Sequence, residues 1–390
     1  MELHWYLVPS DGRFPWRPEG RRAADPSYLR QLATTIEHVG LDGTLVAGGA
    51  GGHDLWTFSS FMAAATERIK FIIAQHPGET SPLLLAQQAA TFDQFSKGRL
   101  IINVVNGSEF QSRGHGIFLS NEERYAYADE YWGVWKRLIT GETVDFDGKY
   151  VKLKGARLAL KPYQQPRPEL YFGGSSPAAL AVAAKHVDTY LTWGEPPPQA
   201  GEKIREVQAL AAAQGRKLRF GLRIYVIVRE TNEEAWAAAQ YLYDRIDKDT
   251  VDNTRRIAEL SKSTGQERMS ALSFRNGELP KDARALEVYP DIWAGIGLTR
   301  IGPGTAIVGD PETVAARIRE YESYGFDVFI LSGYPLLEEA YRFSELVLPL
   351  LRKGNNPEAS QTNQWVERKQ LIDPGARTHL LGANGKGLLA

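Results

Sequence analysis

Short runs of apolar, β-branched residues alternate along this chain with longer stretches whose apolar positions recur at helical spacing. That alternation marks parallel βαβ units, in which each strand is covered by the helix that returns the chain. Eight runs read as strands: Leu3–Val8, Thr44–Ala47, Ile69–Ala74, Leu100–Val105, Leu170–Phe172, Asp188–Thr192, Phe220–Val228 and Val328–Leu331. Several are apolar on consecutive residues, as in Ile101-Ile102-Asn103-Val104-Val105, which fits strands buried on both faces. Helices are predicted over Pro26–His38, Pro82–Phe95, Asn121–Ile139, Pro177–Lys185, Asn232–Ile246, Pro311–Tyr324 and Leu337–Leu351. Several open with proline in the first turn, where its missing N–H leaves no bond unmade. The pattern predicts an α/β chain folded as one (β/α)8 TIM barrel.

Two segments interrupt it. Around 142–154, alternating residues flank an Asp-Gly turn, which predicts an inserted hairpin. Residues of about 250–293, with Ser261-Lys-Ser-Thr-Gly265 and Asn276-Gly277, are polar and weakly periodic, and are expected to form a mobile lid. The barrel with its insertions is thus expected to span 1–352. A polar extension follows over 353–390, either disordered or wrapped on a neighbouring subunit.

Composition narrows the function classes. The net charge of −1, with no basic stripe, argues against nucleic acid as a partner. No apolar run is long enough to span a bilayer, and the N-terminus lacks the basic region and apolar core of a secretory signal, so a cytoplasmic protein is expected. Cysteine is absent, which removes disulfides, thiolate metal sites and a cysteine nucleophile. The scattered histidines offer no metal set, and no signature of a metalloprotease, a nucleoside-triphosphate loop or a serine-hydrolase elbow occurs. Arginines and aromatics without a metal or nucleophile suggest that a bound cofactor carries the reactive group.

A barrel places its chemistry on the loops after its strands. There lie Gln75-His76-Pro77, Asn106-Gly107-Ser108, Gly173-Gly-Ser-Ser-Pro177, Trp193-Gly-Glu195 and Ser332-Gly-Tyr-Pro335. In the Gly173–Ser176 stretch two glycines let backbone amides approach an anion, two hydroxyls add donors, and a helix N-terminus follows. A phosphate fits this loop, and so does a plain capped helix behind a glycine turn. Arg223 and Tyr225 share parity in the seventh strand and so face the same way. A buried Arg223 requires either a carboxylate or an anionic ligand. Arg300, in Thr299-Arg-Ile-Gly-Pro-Gly304, is either a surface residue or a contact delivered by the lid. His76 is either a proton donor or a core histidine, and Trp193 either core or ligand platform.

Longer strings carry a resemblance. Tyr171-Phe-Gly-Gly-Ser-Ser176, Leu191-Thr-Trp-Gly-Glu-Pro196, Phe220-Gly-Leu-Arg223, Val226-Ile-Val-Arg-Glu-Thr-Asn232, Trp293-Ala-Gly-Ile-Gly297 and Leu331-Ser-Gly-Tyr-Pro335 resemble the bacterial alkanesulfonate monooxygenases of the luciferase-like superfamily. The likeness runs from about Leu3 to Leu351. It implies a two-component system, in which an NAD(P)H-dependent flavin reductase supplies reduced flavin mononucleotide (FMNH2). With O2 as co-substrate, an organosulfonate is then split into sulfite and an aldehyde. By matched position, Gly174, Ser175, Ser176 and Tyr125 hold the flavin phosphate and Asn106 lies near the isoalloxazine. Arg223 binds the sulfonate or stabilises the peroxide, Arg300 arrives from the lid, and Tyr334 and Trp193 line the substrate pocket. The resemblance also implies a homodimer or homotetramer.

The departures cluster at strand ends. The family's cysteine before Glu-Asp-x-Trp is Gly52, followed here by His53-Asp54; its histidine after the strand-seven arginine is Tyr225, and the one after Tyr-Pro is Leu336. Its strand-three arginine is His76, and its N-terminal histidine is Asp11. These changes suggest a flavin apparatus kept and a pocket rebuilt, with Asp11, His53, His76 and Tyr225 offered to sugar hydroxyls. A sulfosugar such as sulfoquinovose, oxidised to a 6-oxo sugar, fits; a simple alkanesulfonate, a deazaflavin-using relative, a phosphosugar-metabolising barrel and an inactive flavin-binding subunit stand as alternatives.

Overall fold

The structure, a computed structural model, describes residues 1–9, 11–23, 25–48, 52–107, 109–261, 263–274 and 279–352. Its contacts divide the chain into Met1–Leu350 and Leu351–Ala390, and the extension expected over 353–390 lies outside the described residues. Eight parallel strands close into a ring in sequence order: β1 (Glu2–Leu7), β2 (Gly43–Val46), β3 (Lys70–Gln75), β4 (Leu100–Val104), β5 (Glu169–Phe172), β6 (Thr189–Trp193), β7 (Arg219–Val228) and β8 (Val328–Ser332). The ring closes where Glu2 through Trp5 pair with Val328 through Leu331. This is the expected (β/α)8 barrel, and every strand end lies within one residue of its predicted place.

Helices cover the ring: α1 (Pro26–His38), α2 (Leu55–Ala64), α3 (Pro82–Phe95), α4 (Asn121–Ile139), α5 (Pro177–His186), α6 (Pro197–Ala212), α7 (Asn232–Tyr243), α8 (Lys248–Ser261), α9 (Thr264–Ser273), α10 (Pro311–Ser323) and α11 (Leu336–Leu346). Side-chain caps set several starts: Ser81 accepts from Leu84, Ser176 from Ala179, and Ser120 and Thr231 each complete a capping box. The structure corrects several predicted elements. Helices α2 and α6 were not predicted, α7 stops three residues before Ile246, and the helix expected over Leu337–Leu351 breaks at Val347. The hairpin is present as Thr143–Asp147 against Lys152–Arg157.

The insertion also differs from its polar, weakly periodic reading. It holds α8, which buries Val251, Thr254 and Ala258, then α9, then the strands Glu287–Tyr289 and Ile292–Trp293. These lead antiparallel into Ala306–Gly309, a strand that the sequence pattern did not predict. Asn276-Gly277 lies outside the described residues.

Strand β7 carries two partners along one edge. Its first half, Arg219–Arg223, pairs with β6; its second, Tyr225–Val228, pairs with Ala306–Gly309. The exchange is bonded on both sides: the Gly194 amide donates to Arg223 O at 3.0 Å, and the Tyr225 amide to Thr305 O at 3.0 Å. The insertion is thereby sewn into the barrel mouth, where β7 passes from Arg223 to Tyr225.

Parity sorts the barrel interior. The Trp5 indole donates to Leu336 O at 3.0 Å, so Trp5 faces the helices and Glu2, His4 and Tyr6 face inward. At the floor Glu2 meets Arg219 at 2.6 Å and Lys70 at 3.3 Å, while Arg219 reaches Glu169 at 3.6 Å. Burial resists ionisation of Glu2, but its bonds and charge contacts with His4, Lys70 and Arg219 outweigh it and hold its pKa far below the ordinary value. One step up, His4 is fully buried, and a Cβ at Gly43 would sit 2.6 Å from its Nδ1, so the barrel closes here only around glycine.

Candidate active site

At the mouth the inward positions converge on two arginines. Register sets Arg223 level with Trp193 on β6 and Ile330 on β8, and Tyr225 level with Ser332. The Arg223 guanidinium lies 4.0 Å above the ring of Tyr6, at the end of β1. Its Nε and Nη2 are buried with no hydrogen-bond acceptor. Arg300 arrives from the glycine-rich loop that follows the insertion. It donates through Nε to Ile301 O at 3.0 Å and through Nη1 to the Tyr225 hydroxyl, with its guanidinium 5.9 Å from the Tyr6 ring. The Tyr225 and Tyr334 hydroxyls are 3.1 Å apart, and Trp16 packs edge-on against Tyr334 at 5.7 Å.

Among the described residues neither guanidinium touches a carboxylate. Two half-buried cations therefore share the mouth with three phenols, of which Tyr6 and Tyr225 are buried. Burial resists ionisation of Tyr6, but Arg223 and Arg300 outweigh it and bring its pKa below the ordinary tyrosine value. Burial likewise opposes charge on Arg300, yet the facing oxygens of Tyr225, Tyr334 and Tyr6 hold its pKa well above the usual one. Tyr334 is pushed well up, first by burial and then by Tyr225. Such a site selects an oxyanion, whose paired oxygens match guanidinium forks.

A second group lies over β3 and β4. His76, Glu79, Asn106, His115, Arg124 and Tyr127 line one pocket. The His76 and His115 rings stack at 6.2 Å, and His115 Nε2 meets Glu79 Oε1 at 3.3 Å. Burial, with help from His115, lowers His76 to about 4, so near neutral pH it is an uncharged imidazole. The Asn106 side chain is buried with its Nδ2 unpartnered among the described residues, a donor left open to an outside acceptor.

The glycine–serine loop joins these regions. A Cβ at Gly174 would come within 2.7 Å of Ala179 and 2.9 Å of Phe172, so the strand-to-helix turn requires glycine. Gly174 O accepts from the Tyr190 hydroxyl at 2.6 Å, and Ser176 Oγ accepts from the Ala179 amide at 3.2 Å. The start of α9 rests on this loop: a Cβ at Gly265 would be 3.4 Å from Trp193 and 3.5 Å from Ser175 Oγ. Arg268 on α9 also bonds Glu195, a carboxylate 2% exposed that in turn holds Lys203 of α6. Tyr125 is half-buried on α4.

The structure thus groups Arg223, Arg300, Tyr225, Tyr334 and Trp193 at the mouth, with His76 and Asn106 in the pocket beside β4. Two residues read as substrate contacts lie elsewhere. Asp11 accepts from the Leu336 amide at 2.8 Å and from the Tyr28 hydroxyl, and pairs with Arg22 at 3.3 Å, so its oxygens lock the turn into α11. His53 is exposed, its ring 6.2 Å from Phe58. Ser108 lies outside the described residues. Tyr6 and Glu195's bridging role were not foreseen; the Glu2, His4, Tyr6 alternation was the signal for the first.

A family model described as luciferase-like monooxygenase matches residues 1–328 of the chain. Solved structures agree on the fold. A long-chain alkane monooxygenase superposes with a TM-score of 0.73 at 21% identity, covering 90% of this chain and 91% of its own. The EDTA monooxygenase of Chelativorans sp. BNC1 gives 0.73 at 18% identity, covering 91% and 94%. A riboflavin lyase, solved with modified FMN and its substrate riboflavin, gives 0.71 at 20% identity, covering 90% and 91%.

Proposed function

The chain belongs to the luciferase-like monooxygenase family, and from that premise we propose that it is a two-component, FMNH2- and O2-dependent monooxygenase that cleaves the carbon–sulfur bond of an organosulfonate. The observation that carries this reading is the pair of mouth guanidiniums with no carboxylate, Arg223 keeping two buried nitrogens unpartnered. In the overall conversion one atom of O2 ends in the aldehyde, the other in water, and the sulfur leaves as sulfite.

The residues present suit the cofactor. The unpartnered Asn106 Nδ2 is a donor for the ring edge, and Gly174, Ser175 and the start of α5 form an anion cradle for the phosphate, with Tyr125 assigned to it by position. Ser176 serves as the helix cap and so shapes that cradle. Reduced flavin, when bound, supplies the activation of O2. Arg223 and Arg300 hold the sulfonate, Tyr225 and Tyr334 orient Arg300, and Trp193 with α9 covers the mouth against water. His76 remains neutral and donates or accepts a hydrogen bond without adding charge. An NAD(P)H-dependent reductase is assigned as the flavin supplier.

We place a sulfosugar first among substrates, because the Tyr225 and Tyr334 hydroxyls beside the arginines offer partners beyond the anion. One observation favours a simple alkanesulfonate instead: Asp11, expected to meet sugar hydroxyls, is committed to Leu336, Tyr28 and Arg22. The test is sulfite release with a flavin reductase, NADH, FMN and air, comparing sulfoquinovose with short and long alkanesulfonates. Sulfite from the sugar alone supports the first substrate, and sulfite from alkanesulfonates alone selects the second. No sulfite from any of them, with reduced flavin shown to bind, overturns the organosulfonate reading.

A further inference from the structure

Two half-buried cations with no carboxylate partner among the described residues call for a counter-charge when no substrate is present. We propose that Tyr6 is the resident counter-ion of Arg223 and Arg300, and that a substrate oxyanion displaces it from that role, Tyr6 taking up one proton from solvent as the anion binds. The proposal rests on the anion-binding reading of the mouth given above and adds a residue and a proton to it.

The geometry singles out Tyr6 among the three phenols. It is the one that both guanidiniums approach, Arg223 at 4.0 Å and Arg300 at 5.9 Å from its ring, and it is only 8% exposed. Tyr225 already accepts from Arg300 and lies 3.1 Å from Tyr334, so those two hydroxyls are occupied with each other and with one cation. Strand β2 sets apolar Leu45 beside Tyr6, β7 contributes Arg223 and Tyr225, and the loop after the insertion contributes Arg300. Below it on β1 lies His4, and beyond β8 lies Tyr334. Of the two carboxylates nearest in sequence, Glu2 is held at the floor by Arg219 and Lys70, and Asp11 has both oxygens engaged with Leu336, Tyr28 and Arg22. Among the described residues no carboxylate pairs with either arginine, and both of them favour the Tyr6 phenolate over the phenol.

Linkage then fixes the signs. A bound oxyanion neutralises the guanidiniums and removes what favours the phenolate, so the Tyr6 pKa rises on binding. Between its free and liganded pKa, binding takes up one proton. Above the free pKa, phenolate and substrate compete, and affinity falls about tenfold per pH unit. Tyr6→Phe removes the competitor and the proton together.

The experiment titrates tyrosinate absorbance of the full chain without flavin, with methanesulfonate and inorganic sulfate as probes. Calorimetry at a series of pH values, in buffers of different ionisation enthalpy, gives affinity and proton uptake. Wild type is expected to show one tyrosine ionising below the ordinary value of about 10. Saturating methanesulfonate should move that ionisation upward. It should vanish in Tyr6→Phe and return toward the ordinary value in Arg223→Gln, the second variant guarding against a merely disturbed fold. In Tyr6→Phe the probe should bind with no proton uptake and no pH dependence over the same range. An early ionisation that is missing, that survives in Tyr6→Phe, or that a saturating probe leaves in place overturns the proposal. Should those results coincide with sulfite release, the counter-ion role falls and the organosulfonate reading stands. Should neither probe bind wild type, both fall.

Discussion

Arg219 and Arg223 are the same residue type, four positions apart on the same inward face of β7, yet they live in opposite electrostatic worlds. At the floor, Arg219 is met by Glu2 and Glu169, and Lys70 completes the exchange of charge. At the mouth, Arg223 lies over an aromatic ring with two nitrogens unspent, and its companion cation Arg300 meets phenols and the Ile301 carbonyl. The difference shows how to tell a structural charge from a functional one inside a barrel. A compensated ion holds strands together, whereas an uncompensated one leaves its donors open and marks a candidate ligand contact.

The contrast can be broken most severely at Arg223. Replacing it with Gln is expected to lower kcat/KM for sulfite release by roughly 10³-fold, the scale of a lost charged contact to the reacting group. Its melting temperature should hold or rise, because the cation removed has no carboxylate partner among the described residues. A loss of stability in place of activity would mark Arg223 as a structural residue. Next comes Glu195→Gln, which leaves Lys203, 7% exposed, without its carboxylate and releases Arg268 of α9. Denaturant titration should show a cost of about 3 kcal/mol, at the lower end for a broken buried pair, together with a higher KM if α9 covers the mouth.

At the floor, Glu2→Gln should cost only about 1–2 kcal/mol, since its partners are partly solvated, and should leave kcat unchanged. The pH dependence sharpens the point. The folded-state pKa of Glu2 is depressed, so its contribution is present above the unfolded value of about 4.3 and is lost as pH falls. Wild type and Glu2→Gln should therefore differ at pH 6 and converge progressively in acid, as followed by thermal melts. Smallest is His76, lowered to about 4. Its native form is neutral, so its stabilisation is complete above the unfolded value of about 6.5 and declines as pH falls toward 4. NMR titration should show no protonation of its ring between pH 6 and 8.

The barrel was legible in the sequence because its strands are buried on both faces and its helices are mostly striped, so local periodicity carries the topology. Where that signal lapsed, so did the reading. Helix α2 places Leu55, Trp56, Phe58, Phe61 and Met62 around its whole circumference and shows no stripe. The three prolines at the head of α6 read as loop, and α8 buries residues as small as Thr254 and Ala258. The two arginines were singled out because charge inside a strand or a glycine-rich turn is conspicuous, and the fold brings both to the mouth. The position of Arg300, however, depends on β7 changing partners, which no local pattern records. The partners of Asp11 were not legible either: a carboxylate after a strand looks the same whether it meets a ligand or, as here, a backbone amide nearly the whole chain away.

The exchange of partners along β7 has a consequence for how such a protein diversifies. Below Arg223 the edge belongs to the ring itself, and above it to a strand delivered by the insertion. Residues between α7 and Ala306 can therefore be lengthened, recombined or replaced, with the change confined to the upper rim. The fold carries an internal border, on one side of which descendants are free to acquire new appetites while the foundation they inherit stays the same.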